Sequence, residues 1–169
     1  VDSILIFSNG APTNEKHDTT ADGLFDTTTV FDLQGRPTRE EFDTHADGNI
    51  DIRKLYVDGI MTQTQTDTDF DGRFEQTDSF DAGVIQTTSI DRDGDGTTDI
   101  TVLYENEKKT LQREDRNTDG NIDVITTFDA EERPLKIEED TDLDGKLDSV
   151  RFFKAGELLR AESDRNADG

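Results

Sequence analysis

The residues best suited to chemistry in this chain are carboxylates at fixed spacing. The stretch Asp91-Arg92-Asp93-Gly94-Asp95-Gly96-Thr97-Thr98-Asp99 puts acids at loop positions 1, 3, 5 and 9 and glycine at position 6. Alternate residues of so short a loop point inward, Thr97 at position 7 offers its backbone carbonyl, and glycine takes a sharp turn that a Cβ would obstruct. A ring of hard oxygen donors suits a hard divalent cation, and calcium is the ion that fits it.

The pattern recurs. Asp67, Asp69, Asp71 and Glu75 surround Gly72, and Asp140, Asp142, Asp144 and Asp148 surround Gly145. Asp115, Asn117, Asp119 and Asp123 form another copy with an amide oxygen at position 3. Two earlier copies carry weaker groups at that position: Asp18, Thr20, Asp22, Asp26 and Asp43, His45, Asp47, Asp51. A further copy begins Asp164, Asn166, Asp168, Gly169, and Asp2 stands where position 9 falls one period before Asp26. The loops start at residues 18, 43, 67, 91, 115, 140 and 164, a period of 24 or 25 residues. Phased acids over seven copies distinguish the pattern from solvated Asp-Gly turns and make the chain a repeat array. The expected cofactor is Ca2+, about one ion per loop and six to seven in all.

Charge follows the same plan. Of 41 acids, 23 occupy positions 1, 3, 5 and 9; the remaining 18 equal the 18 Lys plus Arg, so the net charge of −23 resides at the proposed ligands. Two carboxylates about 4 Å apart repel by roughly 4 kcal/mol at an effective dielectric of about 20, so such loops require cations to hold their shape. The acidity excludes nucleic acid and anionic membrane surfaces as partners, and no apolar run is long enough to span a bilayer. At 30% hydrophobic residues the core is expected to be thin. Cysteine is absent, the only histidines are His17 and His45, and acids committed to metal loops make poor general bases, so an enzyme is not expected. Calcium loops point instead to an extracellular or cell-surface setting, where the ion is present at about millimolar concentration.

Strands must position these loops. Five residues after each position 9 stands an aromatic: Phe7, Phe31, Tyr56, Phe80, Tyr104, Phe128 and Phe153. Tight turns follow, as in Ser8-Asn9-Gly10, Val57-Asp58-Gly59, Asp81-Ala82-Gly83 and Lys154-Ala155-Gly156, with glycine at the residue of positive φ. Longer connections, Asp32-Leu33-Gln34-Gly35 and Asp129-Ala130-Glu131-Glu132, fall in the two 25-residue spacings. What remains of each repeat is two short strands, Val1 to Phe7 being an example of the first kind and Leu135 to Glu139 of the second. The expected fold is all-β: strand, tight turn, strand, calcium loop, repeated as an extended twisted antiparallel meander over residues 1–169, with paired repeats forming β-propeller blades as the alternative. An aromatic sheet face is expected to be covered by curling or by a second sheet.

The Asp-x-Asp-x-Asp-Gly-x-x-Asp loop resembles the calcium hairpins of integrin-α and FG-GAP propeller repeats. That resemblance implies calcium ligation by Asp91, Asp93, Asp95, Asp99 and the Thr97 carbonyl, and by the matching positions of the other loops. The aromatic-x-x-Gly hairpin, as in Phe80-Asp81-Ala82-Gly83, is similar to the YD repeats of bacterial Rhs-type surface proteins. FG-GAP blades are longer, and the Glu that an EF-hand needs at position 12 is replaced by Thr29, Lys54, Asp78, Val102, Thr126 and Arg151. The Gly-Gly nonapeptide of RTX β-rolls is absent.

These features lead to a structural protein: a calcium-stiffened extracellular array used as a stalk, adhesin segment or fibre subunit, as part of a longer chain or as one unit of a fibre. The alternative is a module whose Thr/Gln strand face, as at Thr62, Thr64 and Thr66, binds glycan, mineral or ice. Copies of the chain itself, end to end or face to face, are the expected partners.

Overall fold

The computed structural model describes residues 2–164, so the sequence-derived ligands Asn166 and Asp168 lie outside the described residues. Among the described residues every regular element is a β-strand. The chain divides into two units, Val1–Gly83 and Val84–Gly169. The first holds β1 (Ser3–Ser8), β2 (Ala11–His17), β3 (Thr27–Phe31), β4 (Pro37–Phe42), β5 (Ile52–Val57), β6 (Ile60–Thr66) and β7 (Gln76–Asp81). The second holds β8 (Val84–Ile90), β9 (Ile100–Glu105), β10 (Lys108–Glu114), β11 (Val124–Phe128), β12 (Pro134–Glu139), β13 (Ser149–Lys154) and β14 (Glu157–Ser163). Within each unit strand order follows chain order and every pairing is antiparallel. The ladder runs on past the fourth strand, β4 pairing with β5 from Phe42↔Ile52 to Arg39↔Leu55.

Turn chemistry explains the pairing. Asn9-Gly10, Asp58-Gly59, Ala82-Gly83 and Ala155-Gly156 all have positive φ at both residues, the two-residue turn whose twist matches that of the flanking strands. The Asn106-Glu107 turn does the same without glycine, at φ of 52° and 63°. The two longer connections share another device. Asp32 accepts hydrogen bonds from the backbone N–H of Gln34 and Arg36 at 2.8 and 2.9 Å and from Arg36 Nε at 2.9 Å. Asp129 does likewise with Glu131 at 3.0 Å, Arg133 N–H at 2.9 Å and Arg133 Nε at 2.9 Å.

Register shifts by one residue beside the repeating aromatic, at Ile6/Phe7, Val30/Phe31, Leu55/Tyr56, Thr127/Phe128 and Phe152/Phe153, and opposite Tyr104 between Lys109 and Leu111. Each shift is a β-bulge, which leaves one residue of the return strand unpaired. In four hairpins that residue is threonine, and its hydroxyl donates across the hairpin: Thr13 to the Ile6 carbonyl at 3.2 Å, Thr38 to Val30 at 3.2 Å, Thr62 to Leu55 at 3.3 Å and Thr110 to Leu103 at 3.3 Å.

No second sheet covers either face within a unit, because each strand touches only its ladder neighbours. Of the two covers expected for the aromatic face, the second sheet is the one absent within a unit. Phe7 is 58% exposed, the other repeating aromatics are half-buried, and Val102 and Val124 are the buried apolar side chains among the described residues. Half-burial replaces a core: long side chains lie over rings on the same face. Lys136 and Arg160, paired on either side of Phe152, hold their cationic groups 5.9 and 4.8 Å from its ring centre. Arg53 sits 4.8 Å from the Phe74 ring while its Nε donates to Glu41 at 2.9 Å.

Glu107 occupies a left-handed position that costs a side-chain-bearing residue roughly 1–2 kcal/mol, partly offset in the unfolded chain by the freedom a glycine would gain. Glu107→Gly is therefore expected to stabilise the second unit by about 0.5–1 kcal/mol. Urea unfolding checks this; an unchanged or lower midpoint would show that the glutamate side chain outweighs the backbone.

Candidate metal centre

The loops are extensions of the ladder. The position 9 N–H donates to the residue just before position 1, as Asp26 to the His17 carbonyl at 2.9 Å, Asp51 to Phe42 at 2.9 Å, Asp99 to Ile90 at 2.8 Å and Asp123 to Glu114 at 2.8 Å. The position 1 N–H then donates to the position 9 carbonyl of the preceding loop, as Asp18 to Asp2, Asp43 to Asp26, Asp67 to Asp51, Asp115 to Asp99, Asp140 to Asp123 and Asp164 to Asp148. Because strands alternate in direction, the loops of a unit share one edge and the tight turns the other.

Inside each loop the carboxylates organise the backbone. The position 1 acid receives N–H groups from positions 4 or 5 and 6: Asp67 from Phe70 at 2.7 Å and Gly72 at 2.8 Å, Asp91 from Gly94 and Gly96 at 2.8 Å, Asp140 from Leu143 and Gly145 at 2.7 Å. Position 5 caps position 7, as Asp22 with Leu24 at 2.8 Å and Asp119 with Asn121 at 2.8 Å. Position 9 receives the position 2 N–H: Asp99 from Arg92 at 2.5 Å, Asp123 from Arg116 at 2.6 Å and Glu75 from Thr68 at 2.7 Å. Where position 2 is threonine its hydroxyl joins, as Thr19 on Asp26 at 2.6 Å and Thr141 on Asp148 at 2.9 Å.

Two loop positions escaped the sequence reading. Position 4 is left-handed in every complete loop: Ala21, Ala46, Phe70, Thr118 and Leu143 have φ of 59–64°, and Gly94 has 74°. Only Gly94 signalled this. Position 2, the hydroxyl donor to position 9, was signalled by threonine at residues 19, 44, 68 and 141.

Five loops bring at least three ligating side chains within 4.8 Å of one another: Asp18, Asp22, Asp26; Asp43, His45, Asp51; Asp67, Asp69, Asp71, Glu75; Asp91, Asp93, Asp99; and Asp140, Asp142, Asp148. Asp47, Asp95 and Asp144 stand outside their groups, each capping the position 7 N–H. Asp115, Asp119 and Asp123 do not form such a group, and the Asn117 amide oxygen accepts the Asp119 N–H at 3.0 Å. Thr20 donates its N–H to Asp26 at 2.9 Å, and Thr97 donates its N–H to Asp95 at 2.7 Å. Asp2 is exposed and Asp164 half-buried.

Burial concentrates on the same acids. Asp26, Asp51, Asp67, Asp99 and Asp123 are at most 2% exposed, and Asp18, Asp43, Asp115 and Asp140 are also buried. Hydrogen bonds hold several carboxyls ionised. The Thr19 hydroxyl draws Asp26 below the ordinary carboxylate value, and the backbone N–H groups of Asn49 and Asn121 do so for Asp47 and Asp119. Asp142 moves the other way: burial and then the charges of Asp144, Asp148 and Asp140 push it up. Asp51 keeps a buried Oδ1 with no hydrogen-bond partner. Clustered oxygen donors of this kind fit a hard cation, which supplies the opposite charge they lack.

On the Thr/Gln face, the Thr62 hydroxyl is spent on the bulge and that of Thr64 lies 3.6 Å from Met61 Sδ. No family model matches the sequence, and no curated protein matches it. Among solved structures, a chain in the crystal structure of accessory secretory protein 1, 2 and 3 in Streptococcus pneumoniae is similar at 14% identity and a TM-score of 0.44. The match covers 73% of this chain and 23% of that one, so this chain spans under a quarter of its length.

Asp142→Asn separates the two roles of a loop acid. A raised folded-state pKa means that the ionised form penalises the fold at pH values above it, and that the penalty fades as pH falls toward 3.8. The amide is therefore expected to raise the melting temperature of the chelator-treated chain at pH 7 and to weaken calcium binding. Below pH 3.8 stability should fall, because Asp26, Asp47 and Asp119, with lowered values, then lose their hydrogen-bonded ionised form. Thermal melts with chelator and with calcium check the opposed signs; a lower melting temperature without metal would contradict the penalty on the ionised form.

Proposed function

We propose that the protein is a calcium-stiffened structural repeat array that serves outside the cell or at its surface as a stalk, adhesin segment or fibre subunit. One observation carries this reading: among the described residues the buried side chains are mostly carboxylates, nine aspartates beside Thr88, Val102 and Val124. Burial of two valines contributes about 1.5–3 kcal/mol each, too little to order fourteen strands. Acids at positions 1, 3, 5 and 9, with the position 7 carbonyl, would hold the ion, which supplies the positive charge that lets the clustered carboxylates stay ionised and together.

Each loop joins two strands, so closing it fixes a strand pair, and metal binding and folding become one equilibrium. At calcium a hundredfold above Kd a site adds about 2.7 kcal/mol to stability. An extended, twisted meander of such repeats would be rigid only with calcium, and repeat number would set its length. No catalytic step enters this reading. Both faces of β1 carry exposed apolar side chains, Ile4 and Ile6 on one and Leu5 and Phe7 on the other, between 38% and 58% exposed, which supports further copies of the chain as partners.

Circular dichroism and sedimentation during a calcium titration, with magnesium as control, test the proposal. A cooperative gain of β-structure near millimolar calcium is expected, with pelleting if fibres form. A β-fold indifferent to chelator would overturn it.

A further inference from the structure

We infer that the loop from Asp43 to Asp51 is a site for a borderline transition-metal cation, zinc above all, rather than a sixth calcium loop. The inference rests on the proposed reading only in treating the loop as a cation site. Every other described loop has an oxygen donor at position 3; this one has the His45 imidazole. Asp43, His45 and Asp51 each offer a ligating atom within 4.8 Å of the others. Two carboxylates and an imidazole leave a fourth position open, a donor set that suits four-coordinate zinc, whereas calcium takes six to eight oxygens.

A second observation points to the missing cation. Asp51 is 1% exposed, and its Oδ2 is fully engaged, by Thr44 N–H and Thr44 Oγ1 at 2.5 Å and by His45 Nδ1 at 2.9 Å, while its buried Oδ1 has no hydrogen-bond partner. A buried carboxylate oxygen without a donor is costly, and a metal ion removes that cost. Asp43 Oδ2 accepts the Gly48 N–H at 2.8 Å and Oδ1 the Asp47 N–H at 3.3 Å, which fixes the second carboxylate. The imidazole is also held. Its ring packs on Phe70, from position 4 of the next loop, with centroids 4.3 Å apart and planes at 57°, and Nε2 lies 3.3 Å from Asp47 Oδ2. One ring nitrogen can therefore ligate while the other keeps a carboxylate partner, the arrangement that orients metal-bound histidines.

Cobalt(II) is the probe, titrated into the full chain in excess calcium. Visible d–d absorption saturating at one equivalent and bleached by zinc is expected. His45→Asn, which supplies the amide found at position 3 of the 115 loop, should lose the band and keep the calcium-dependent circular dichroism; His45→Asp should lose it too and gain a calcium equivalent. No absorption, or an unchanged band in both variants, would overturn the zinc site. Calcium-dependent folding is read separately: its absence with the cobalt band intact would sink the calcium array alone, and the reverse would sink only this inference.

Discussion

Everything in this chain depends on bringing carboxylates together where hydrocarbon would ordinarily be. Most acids at positions 1 and 9 are buried, and in the complete loops they are tied to the backbone by N–H groups from their own loop, as Asp67 and Asp99 are. Those bonds compensate part of the desolvation cost, because a carboxylate that accepts backbone N–H groups is favoured in its ionised form. They do not compensate desolvation and the charges of neighbouring acids everywhere, and the two together, desolvation first, push Asp142 up. The loop is thus half satisfied by protein alone, with hydrogen bonds setting its shape and a deficit of positive charge left at its centre.

The single-layer sheet follows from the same constraint. A strand pair closed at one end by a loop and at the other by a turn needs no partner across its face to set its register. The bulges beside the aromatics and, in four hairpins, the threonine hydroxyl donated to the facing carbonyl fix that register locally. Rings and aliphatic stems then cover one another within the layer, as Lys136 and Arg160 do around Phe152. The Asp32–Arg36 and Asp129–Arg133 turns show the same economy, with one carboxylate binding both the backbone and the guanidinium of the turn.

Most of this plan was legible because its signals are periodic. The acids, the aromatics and the turn glycines repeat in phase, so strand order and the placement of loops could be read without any long-range argument. Pro37 and Pro134 open β4 and β12 as their lack of an N–H suggests. What was not legible depends on backbone angles that many residue types adopt under compulsion. Ala, Phe, Thr and Leu at position 4 do not announce a left-handed turn, and Asn106-Glu107 hides a tight turn that glycine marks elsewhere. A second sheet, one of the two covers expected for the aromatics, rested on a general rule of burial, and within a unit long charged side chains lie over the rings instead. Within the site, spacing identified the acids but not which of them meet: Asp95 and Asp144 serve the backbone instead.

The loops of a unit stand on one edge, two strands apart, and strands lie about 4.8 Å apart, so a loop recurs about every 10 Å. With three or four acids at positions 1, 3, 5 and 9 of each complete loop, that edge carries one excess charge per roughly 3 Å, within a factor of two of duplex DNA at about 1.7 Å. Two unit charges in water reach thermal energy at about 7 Å, so the edge is a polyelectrolyte before it is a set of sites. A mobile ion atmosphere must gather along it, and divalent ions will displace monovalent ones there by mass action. If the loops bind calcium as proposed, occupancy of any single loop would be set by the salt around the whole edge as well as by its own ligands, and ionic composition rather than calcium concentration alone would be the controlling variable.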